Sequence, residues 1–353
     1  MRKIAVTLLC LVSAALPGSV WAVGYTITRL PTLPGYVGLS DAWAINDRGE
    51  AVGEVAGKPV LWDSTGPRDL APNSDSSRGA RCINSHGQCV GDVSLGGHYT
   101  AVTWNPDGTT IVVGPVGQES MANGVDDAGM VLGSVRGSDG NNHAFRWTLA
   151  DGLSVSATPS VAQSANEVGQ ICGSSTRPDG TRVAVIWNLQ GDITKEIVAN
   201  TGGSSATAYD INNHGQVAGL YDAGGRRRAF FWSEITGLID IAPDAGESRA
   251  FGINDSGTVV GRATFGTEMH AFTWSLSGGL TDLGTLGGTE SLARGINRAG
   301  QVVGYACASP EEVALGRPLQ NAVIWTPVPE PSSLLALLSG LAALGGAIRR
   351  RAR

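Results

Sequence analysis

The histidines are the side chains best suited to chemistry, but their positions in the sequence indicate a structural role. His143 and His270 occupy one position of an internal repeat, where another copy carries Arg228, and His86 and His214 lie in its turns. No two histidines have a metal-ligand spacing such as His-x-x-x-His. We therefore predict strand or turn roles for them, and no metal, cofactor or catalytic residue.

Carboxylates are more numerous but scattered. Asp126-Asp127 and Asp139 form small clusters that lack the Asp-x-Asp-x-Asp-Gly pattern of a calcium loop, although calcium held in a loop is kept as an alternative. Two carboxylates from different repeats could meet to act on a glycosidic bond. A glycan-active enzyme, a hydrolase or lyase, is therefore the alternative to a binding protein.

Seven copies of a unit of about 42 residues position these side chains. Each copy has an anchor residue, a Gly three residues later, a second Gly seven residues later, and then a Trp. The anchors are Asn46, Asn84, Asp126, Asn166, Asn212, Asn254 and Asn297. The tryptophans are Trp62, Trp104, Trp147, Trp187, Trp232, Trp274 and Trp325. Both glycines and the tryptophan are present in all seven units.

Each copy reads as four short strands. Asn-x-x-Gly between apolar residues predicts a tight β-turn, and segments 301–304, 270–274 and 279–283 illustrate the second, third and fourth strands. Four strands per repeat predict the blade of a β-propeller, with each Trp packed between neighbouring blades. The period of two excludes a helical solenoid.

The order of the strands predicts a closed ring. The last unit ends at Trp325 without a fourth strand, while Tyr25–Leu30 supplies a spare strand before the first unit. The N-terminal strand would complete the last blade and leave no open edge. We predict an all-β, seven-bladed propeller over residues 23–327; an open β-solenoid or a sandwich is the alternative.

Loops between second and third strands carry the charged groups best suited to ligand binding, because loops on a rigid ring commonly host binding sites. The candidate ligand-face residues are Arg226, Arg227 and Arg228 in unit five and Glu311, Glu312 and Arg317 in unit seven. Arginine pairs bidentately with carboxylates. We expect this face to bind an anionic or neutral polysaccharide.

Both chain ends read as targeting segments. Residues 1–22 have the basic start, apolar run and small terminal residues of a secretory signal peptide. Residues 328–353 begin with Val328-Pro329-Glu330-Pro331, continue without charge from 334 to 348, and end in arginines. These are Arg349, Arg350, Arg351 and Arg353. At about 1.5 Å per residue, segment 332–348 would span about 25 Å as a membrane helix, with the arginines cytoplasmic.

This tail resembles the PEP-CTERM sorting signal of Gram-negative bacteria, which combines a Pro-Glu-Pro motif, a hydrophobic segment and a basic end. The resemblance implies processing by an exosortase-type protease near Pro329-Glu330-Pro331 and delivery to the cell surface or exopolysaccharide matrix. An ordinary C-terminal membrane anchor is the alternative.

The body resembles the bacterial extracellular HAF repeat, in its Ile-Asn-x-x-Gly turns and in 143–145 and 270–272, both His-Ala-Phe. The resemblance covers about 25–327 and implies an extracellular propeller-like protein with no assigned reaction.

Export also bears on the cysteines. Cys82 and Cys89 flank the turn 84–87 on opposite arms of a hairpin, and a two-residue loop would place them side by side. The oxidising envelope then favours a disulfide between them, unless a bulge shifts the register.

The net charge of the body excludes one further class of partner. The chain has 25 basic and 31 acidic residues, and six of the basic ones lie in the signal peptide and the last 20 residues, so the body has 19 against 31. A surface near −12 repels nucleic acid. We predict a secreted, non-catalytic binding or structural protein, held in the inner membrane before processing, with an exosortase and exopolysaccharide as partners.

Overall fold

The computed structural model describes residues 20–22, 24–74, 76–197 and 205–328. These residues form 28 strands and one short helix, arranged as consecutive antiparallel sheets. Most of the expected signal peptide and nearly all of segment 328–353 lie outside the described residues. Within the described residues, no helix is long and apolar enough to span a membrane.

Strands follow the repeats in the chain. Two short strands, β1 (Val20–Ala22) and β2 (Tyr25–Arg29), come first. Repeat one contains β3 (Ser40–Ile45), β4 (Ala51–Val55), β5 (Lys58–Asp63) and β6 (Gly66–Asp69). Repeat two contains β7 (Ser77–Ile83), β8 (Cys89–Leu95), β9 (His98–Trp104) and β10 (Thr110–Val112). Repeats three and four share the long strand β14 (Gly152–Ala165), which follows β11 (Ser120–Val125), β12 (Val131–Arg136) and β13 (Asn142–Thr148) and precedes β15 (Ile171–Thr176), β16 (Arg182–Trp187) and β17 (Ile193–Ile197).

The remaining repeats keep the same order. Repeat five contains β18 (Ala206–Ile211), β19 (Val217–Ala223), β20 (Arg226–Ser233) and β21 (Gly237–Asp240). Repeat six contains β22 (Ser248–Ile253), β23 (Val259–Phe265), β24 (Glu268–Ser275) and β25 (Gly279–Asp282). Repeat seven contains β26 (Gly287–Ile296), β27 (Val302–Ala308), helix α1 (Pro310–Ala314) and β28 (Gln320–Pro327).

The N-terminal strand completes the last sheet. β2 pairs antiparallel with β28, from Tyr25 opposite Pro327 to Arg29 opposite Val323, and β1 pairs with the outer edge of β2. Ile27 is fully buried and packs with the Trp325 indole and with Val260 of repeat six. The first and last segments of the repeat region are therefore joined in one sheet.

Steric constraints explain why glycine recurs at both positions of the repeat. Gly49 and its counterparts at the turn have positive φ, near 80°, a conformation that glycine adopts without the clash a Cβ would cause. At the second glycine the neighbouring strand is too close for a side chain: a Cβ on Gly304 would lie 1.9 Å from the Leu292 carbonyl oxygen. Any other residue at this second position would push the first two strands apart.

The core lies between neighbouring repeats. Trp232 of repeat five packs with Cys172, Ala184 and Ile186 of repeat four, and Trp325 packs against repeat six in the same way. Each tryptophan therefore buries its ring only because an adjacent repeat supplies the other wall.

The expected disulfide between Cys82 and Cys89 is wrong, and both thiols are free. A bulge between Ala80 and Cys82 shifts the register, so that Cys82 lies opposite Val90 and Cys89 opposite Ile83. Cys82 packs towards repeat three, whereas Cys89 packs with Val52 towards repeat one. The two side chains therefore point to opposite faces of the sheet, and burial raises the pKa of both thiols.

Candidate functional site

The anchor asparagines form a hydrogen-bonded series around the molecule. Each of the six anchor asparagines accepts bonds from the backbone of its own turn and donates Nδ2 to the carbonyl of the next anchor; Asn212 Nδ2, for example, lies 2.9 Å from the Asn254 oxygen. The series returns to its start, since Asn297 Nδ2 donates to the Asn46 carbonyl at 3.1 Å. Asp126 interrupts it, because a carboxylate has no N–H to donate to the Asn166 carbonyl.

This end of the molecule, where the anchor turns lie, is called the turn face. A cavity of about 230 Å³ opens there, and its lining residues come from all seven repeats. Around it, in five of the seven repeats, the backbone N–H of the residue after the anchor bonds to the side chain of its counterpart in the next repeat. Ser85 N lies 2.8 Å from Asp127 Oδ1, and Arg298 N lies 2.8 Å from Asp47 Oδ1. The acidic side chains on this face are largely engaged in that second series.

The first strand of each repeat surrounds the cavity, and these seven strands, with the second strands behind them, form the central wall. Away from the turn face, charged side chains occupy the wall in repeats six, seven, one and two. In repeat one, Asp41 and Glu54 are direct cross-strand partners, which places their Cβ atoms about 4.5–5.5 Å apart on one side of the sheet. The two carboxyls are therefore neighbours.

An arginine from each flanking repeat lies beside this pair, and Arg294 is ion-paired with Asp41. Arg294 Nη2 lies 2.6 Å from Asp41 Oδ2, whose side chain is only 3% exposed. Arg294 and Arg81 both lie over the Trp43 ring, at 4.2 and 4.3 Å from its centroid. Three repeats thus meet in one cluster of aromatic and guanidinium groups.

Burial perturbs the ionisable groups of this cluster. Desolvation, followed by the nearby Asp41 carboxylate, raises the pKa of Glu54, and desolvation also raises the pKa of Asp41 against the opposing effect of Arg294. Desolvation lowers the pKa of Arg81 to about 10, although Asp92 lies 3.8 Å from its Nε. Such shifts are common where residues bind ligands or do chemistry.

Several buried polar atoms of the central wall have no hydrogen-bond partner among the described residues. They are Asp41 Oδ1, Trp43 Nε1, Arg81 Nε, Asp92 Oδ2, Arg249 Nε and Arg262 Nε. Buried polar atoms normally have a partner in the protein, in water or in a ligand. The opposite half of the wall differs, because Asn123, Gln163 and Tyr209 occupy the position of Trp43 there.

The expected ligand-face residues lie at the other end of the molecule from the turns, here called the loop face, but in separate loops. Arg226 and Arg227 are exposed at the β19–β20 hairpin. Arg228 is held by the loop before repeat six: its Nη1 donates to the Ala242 and Ala245 carbonyls at 3.0 and 2.8 Å. Arg228 therefore fixes a loop, and its guanidinium is not free for a ligand.

In repeat seven, the charged loop residues mostly bind each other. Glu312 accepts a hydrogen bond from Arg29 and lies 3.6 Å from Arg317 Nε, while Glu311 is solvent-exposed at the start of α1. Glu312 therefore ties the N-terminal strand to this loop.

His143 and His270 contact carboxylates within their own repeats, whereas His86 lies 3.9 Å from Asp127 of repeat three. His270 lies 2.9 Å from Asp282 and 3.1 Å from Glu268, and His143 lies 3.1 Å from Asp139. Among the described residues, no group of three or more His, Cys, Asp and Glu side chains is arranged to hold a metal ion.

Sequence reasoning missed the central wall. Asp41 and Trp43 lie five and three residues before the anchor Asn46, and Glu54 lies eight residues after it. Alignment of the seven units at these positions would have revealed the signal, because repeats six, seven, one and two carry charged or aromatic residues at most of them, whereas repeats three, four and five carry no charged residue at any of them.

Comparison with solved structures supports an all-β, propeller-like fold. A streptogramin B lyase matches with a TM-score of 0.56 at 11% identity, over 87% of this chain and 99% of that chain. A virginiamycin B lyase from Staphylococcus aureus, in a catalytically inactive form with quinupristin, matches with a TM-score of 0.57 at 12% identity, over 86% of this chain and 100% of that chain. A puromycin-hydrolysing peptidase of Mycobacterium tuberculosis gives a TM-score of 0.52 at 13% identity, over 80% of this chain and 53% of that chain. At these identities the likeness concerns the fold alone.

No curated protein matches the sequence. A family model does match the C-terminal segment: residues 327–351 fit the PEP-CTERM protein-sorting motif. That motif implies export, anchoring in the membrane for sorting, and processing by an exosortase, a membrane protease. The C-terminal segment of this chain therefore carries a PEP-CTERM sorting signal.

Proposed function

We propose that this protein is a non-catalytic binding module of the cell surface or exopolysaccharide matrix, with its seven repeats closed into a seven-bladed β-propeller. The observation that carries the binding role is the charged half of the central wall, where groups of repeats seven, one and two meet around Trp43. Its unpaired buried polar atoms and perturbed carboxyl groups support a ligand site.

Closure of the ring is supported by three contacts between the ends of the repeat region. They are the pairing of β2 with β28, the bond from Asn297 to the Asn46 carbonyl, and the ion pair of Arg294 with Asp41. The resemblance to extracellular HAF repeats agrees with this architecture and with a signal peptide at residues 1–22.

Exopolysaccharide is the ligand class that we favour. The sorting signal directs the protein to the envelope, and arginines on a rigid ring suit the hydroxyl and carboxylate groups of such polymers. Arg226 and Arg227 are exposed on the loop face in repeat five, and their positive charge supports a role in binding the polymer.

A pull-down with exopolysaccharide from the producing strain tests this proposal. Full-length protein in mild detergent should be retained by the polymer, and Arg226→Gln/Arg227→Gln should weaken retention severalfold. Arg68→Gln/Arg182→Gln, at two exposed positions on other strands, is the matched charge control. Undiminished retention of the double variant would refute the role of the loop, and no retention of wild type would refute the proposal.

The second candidate is an enzyme acting on glycans, and the Asp41–Glu54 pair favours it. A carboxyl with a raised pKa beside a second carboxylate is the arrangement of a glycosidase acid and its partner. Against it, Asp41 is almost inaccessible and ion-paired with Arg294. Release of reducing ends from exopolysaccharide by wild type, abolished by Glu54→Gln, would establish the enzyme instead.

A further inference from the structure

The central wall of repeat six contains two arginines that oppose each other. Arg249 on β22 and Arg262 on β23 are direct cross-strand partners in the register of this sheet. Like charges directly opposite each other destabilise a sheet. The pair therefore destabilises the sheet unless a negatively charged group lies beside it.

The described residues supply little of that negative charge. Arg249 Nη2 lies 3.6 Å from Glu247, whose side chain is 45% exposed, and Arg262 has no carboxylate within ion-pair distance among the described residues. Both Nε atoms are buried without a hydrogen-bond partner in this part of the chain. Burial lowers the pKa of Arg249, and the positive charges of Arg262 and Arg227 lower it further. Arg227 is therefore a third guanidinium close enough to affect this pair.

An aromatic surface adjoins the pair. Phe251 lies two residues after Arg249 on β22 and packs with Leu292 and Tyr305 of repeat seven. Its ring centroid is 5.2 Å from that of Tyr209. Phe251 and Tyr209 are half-buried, so they keep some exposed ring surface.

From this arrangement we propose that Arg249 and Arg262 form a carboxylate-binding subsite for the uronic-acid residues of an acidic polysaccharide. The guanidinium groups bind the carboxylate through charge-assisted, bidentate hydrogen bonds. The sugar ring packs against Phe251 and Tyr209. Arg227 lies towards the loop face and adds positive charge along the approach. This inference rests on the proposed function and specifies the chemistry of its ligand.

Calorimetric titration of full-length protein with an oligouronate, such as a short polygalacturonate, tests the subsite. We expect binding that weakens as salt is added, and a loss of at least tenfold in affinity for Arg249→Gln/Arg262→Gln. The neutral oligosaccharide with its carboxyl groups reduced to alcohols should bind at least tenfold more weakly than the oligouronate. Arg68→Gln/Arg182→Gln should bind like wild type, since it removes the same number of positive charges at exposed positions outside the central wall.

Folding of the variants is checked by thermal unfolding before titration. If the double variant does not fold, Arg262→Lys keeps the charge but removes the planar fork, and it should still lose affinity several-fold. Equal binding of the reduced oligosaccharide, unchanged affinity in the arginine variants, or tighter binding of inorganic sulfate than of monomeric uronate would overturn the subsite.

The two proposals fail separately. If exopolysaccharide is retained but oligouronates do not bind, the carboxylate subsite is wrong while the binding module stands. If neither is bound, both proposals are wrong.

Discussion

At the scale of single residues, the anchor position explains why asparagine recurs in six of seven repeats. At Asn212, for example, Oδ1 accepts hydrogen bonds from two backbone N–H groups of its own turn, and Nδ2 donates to the Gln216 side chain and to the carbonyl of the next anchor, Asn254. Few other side chains can both accept and donate in this way. Asp126 accepts from Met130 N at 2.7 Å but cannot donate.

The gap at repeat three gives a first prediction. Asp126→Asn should raise the free energy of unfolding by roughly 0.5–1.5 kcal/mol, the usual net value of a hydrogen bond, by adding a bond to the Asn166 carbonyl. Chemical denaturation at pH 7 measures the change. The reverse substitution Asn212→Asp should destabilise, because it removes the bond to Asn254; stabilisation by both substitutions would refute the explanation.

A second prediction concerns Asp210, which links three repeats. Its carboxylate accepts hydrogen bonds from Ser164 at 2.7 Å and from the Ile253 backbone at 2.9 Å, and burial raises its pKa to about 6. The folded protein therefore holds this proton more tightly than the unfolded chain does. Between about pH 4 and pH 6, the folded state has more protons bound, so stability from this group falls as pH rises.

The effect can be measured by denaturant unfolding at pH 4 and pH 7. Asp210→Ser should reduce the loss of unfolding free energy between these pH values by roughly 2–3 kcal/mol, since the pKa is raised by about two units and one unit corresponds to about 1.4 kcal/mol. Exposed Asp244→Ser is the control. A pH dependence equal in wild type and Asp210→Ser would contradict the assignment.

At the scale of strands, β2 is the element on which the joining of the two ends depends. Ile27 is fully buried between repeats six and seven. Its truncation should therefore cost as much as a core substitution in the middle of the chain, despite its position near the N-terminus.

This gives a third prediction. Ile27→Ala should lower the free energy of unfolding by about 2–4 kcal/mol, whereas Val37→Ala, at a position 82% exposed, should change it by less than about 0.5 kcal/mol. Chemical denaturation of both variants decides. A small effect at Ile27 would mean that β2 does not stabilise the last sheet in solution.

At the scale of the whole molecule, the repeat region ends where the sorting motif begins. β28 stops at Pro327, and the Val328 N–H donates to the Gly24 carbonyl at 2.9 Å. The last described strand and its pairing thus end before Pro329. Removal of the following segment would leave both sides of the last sheet in place.

A fourth prediction follows for processing. Substitution of Pro329 and Pro331 by Ala should leave the protein uncleaved in the membrane fraction, while wild type loses its C-terminal segment. Mass spectrometry of the native C-terminus and cell fractionation measure this. The melting temperatures of the processed and unprocessed forms should lie within about 2 °C of each other. Loss of a segment outside the core is expected to change the free energy of unfolding by less than about 1 kcal/mol. A destabilised processed form would show that the tail contributes to the fold.

The sequence by itself determined the features that depend on local spacing. The two glycines and the tryptophan of each unit predict hairpins and strand order, and Val328-Pro329-Glu330-Pro331 with its apolar and basic continuation predicts the sorting signal. Such signals repeat or lie in one continuous segment, so that neighbouring residues carry them.

Only the tertiary structure decided which distant side chains meet. The bulge before Cys82 separated two cysteines that simple hairpin pairing would join, and Arg228 proved to hold a loop. The Arg294–Asp41 contact joins residues 253 positions apart, and it exists because the last repeat packs against the first. No local pattern encodes that distance, since it results from the sum of rotations across all the repeats.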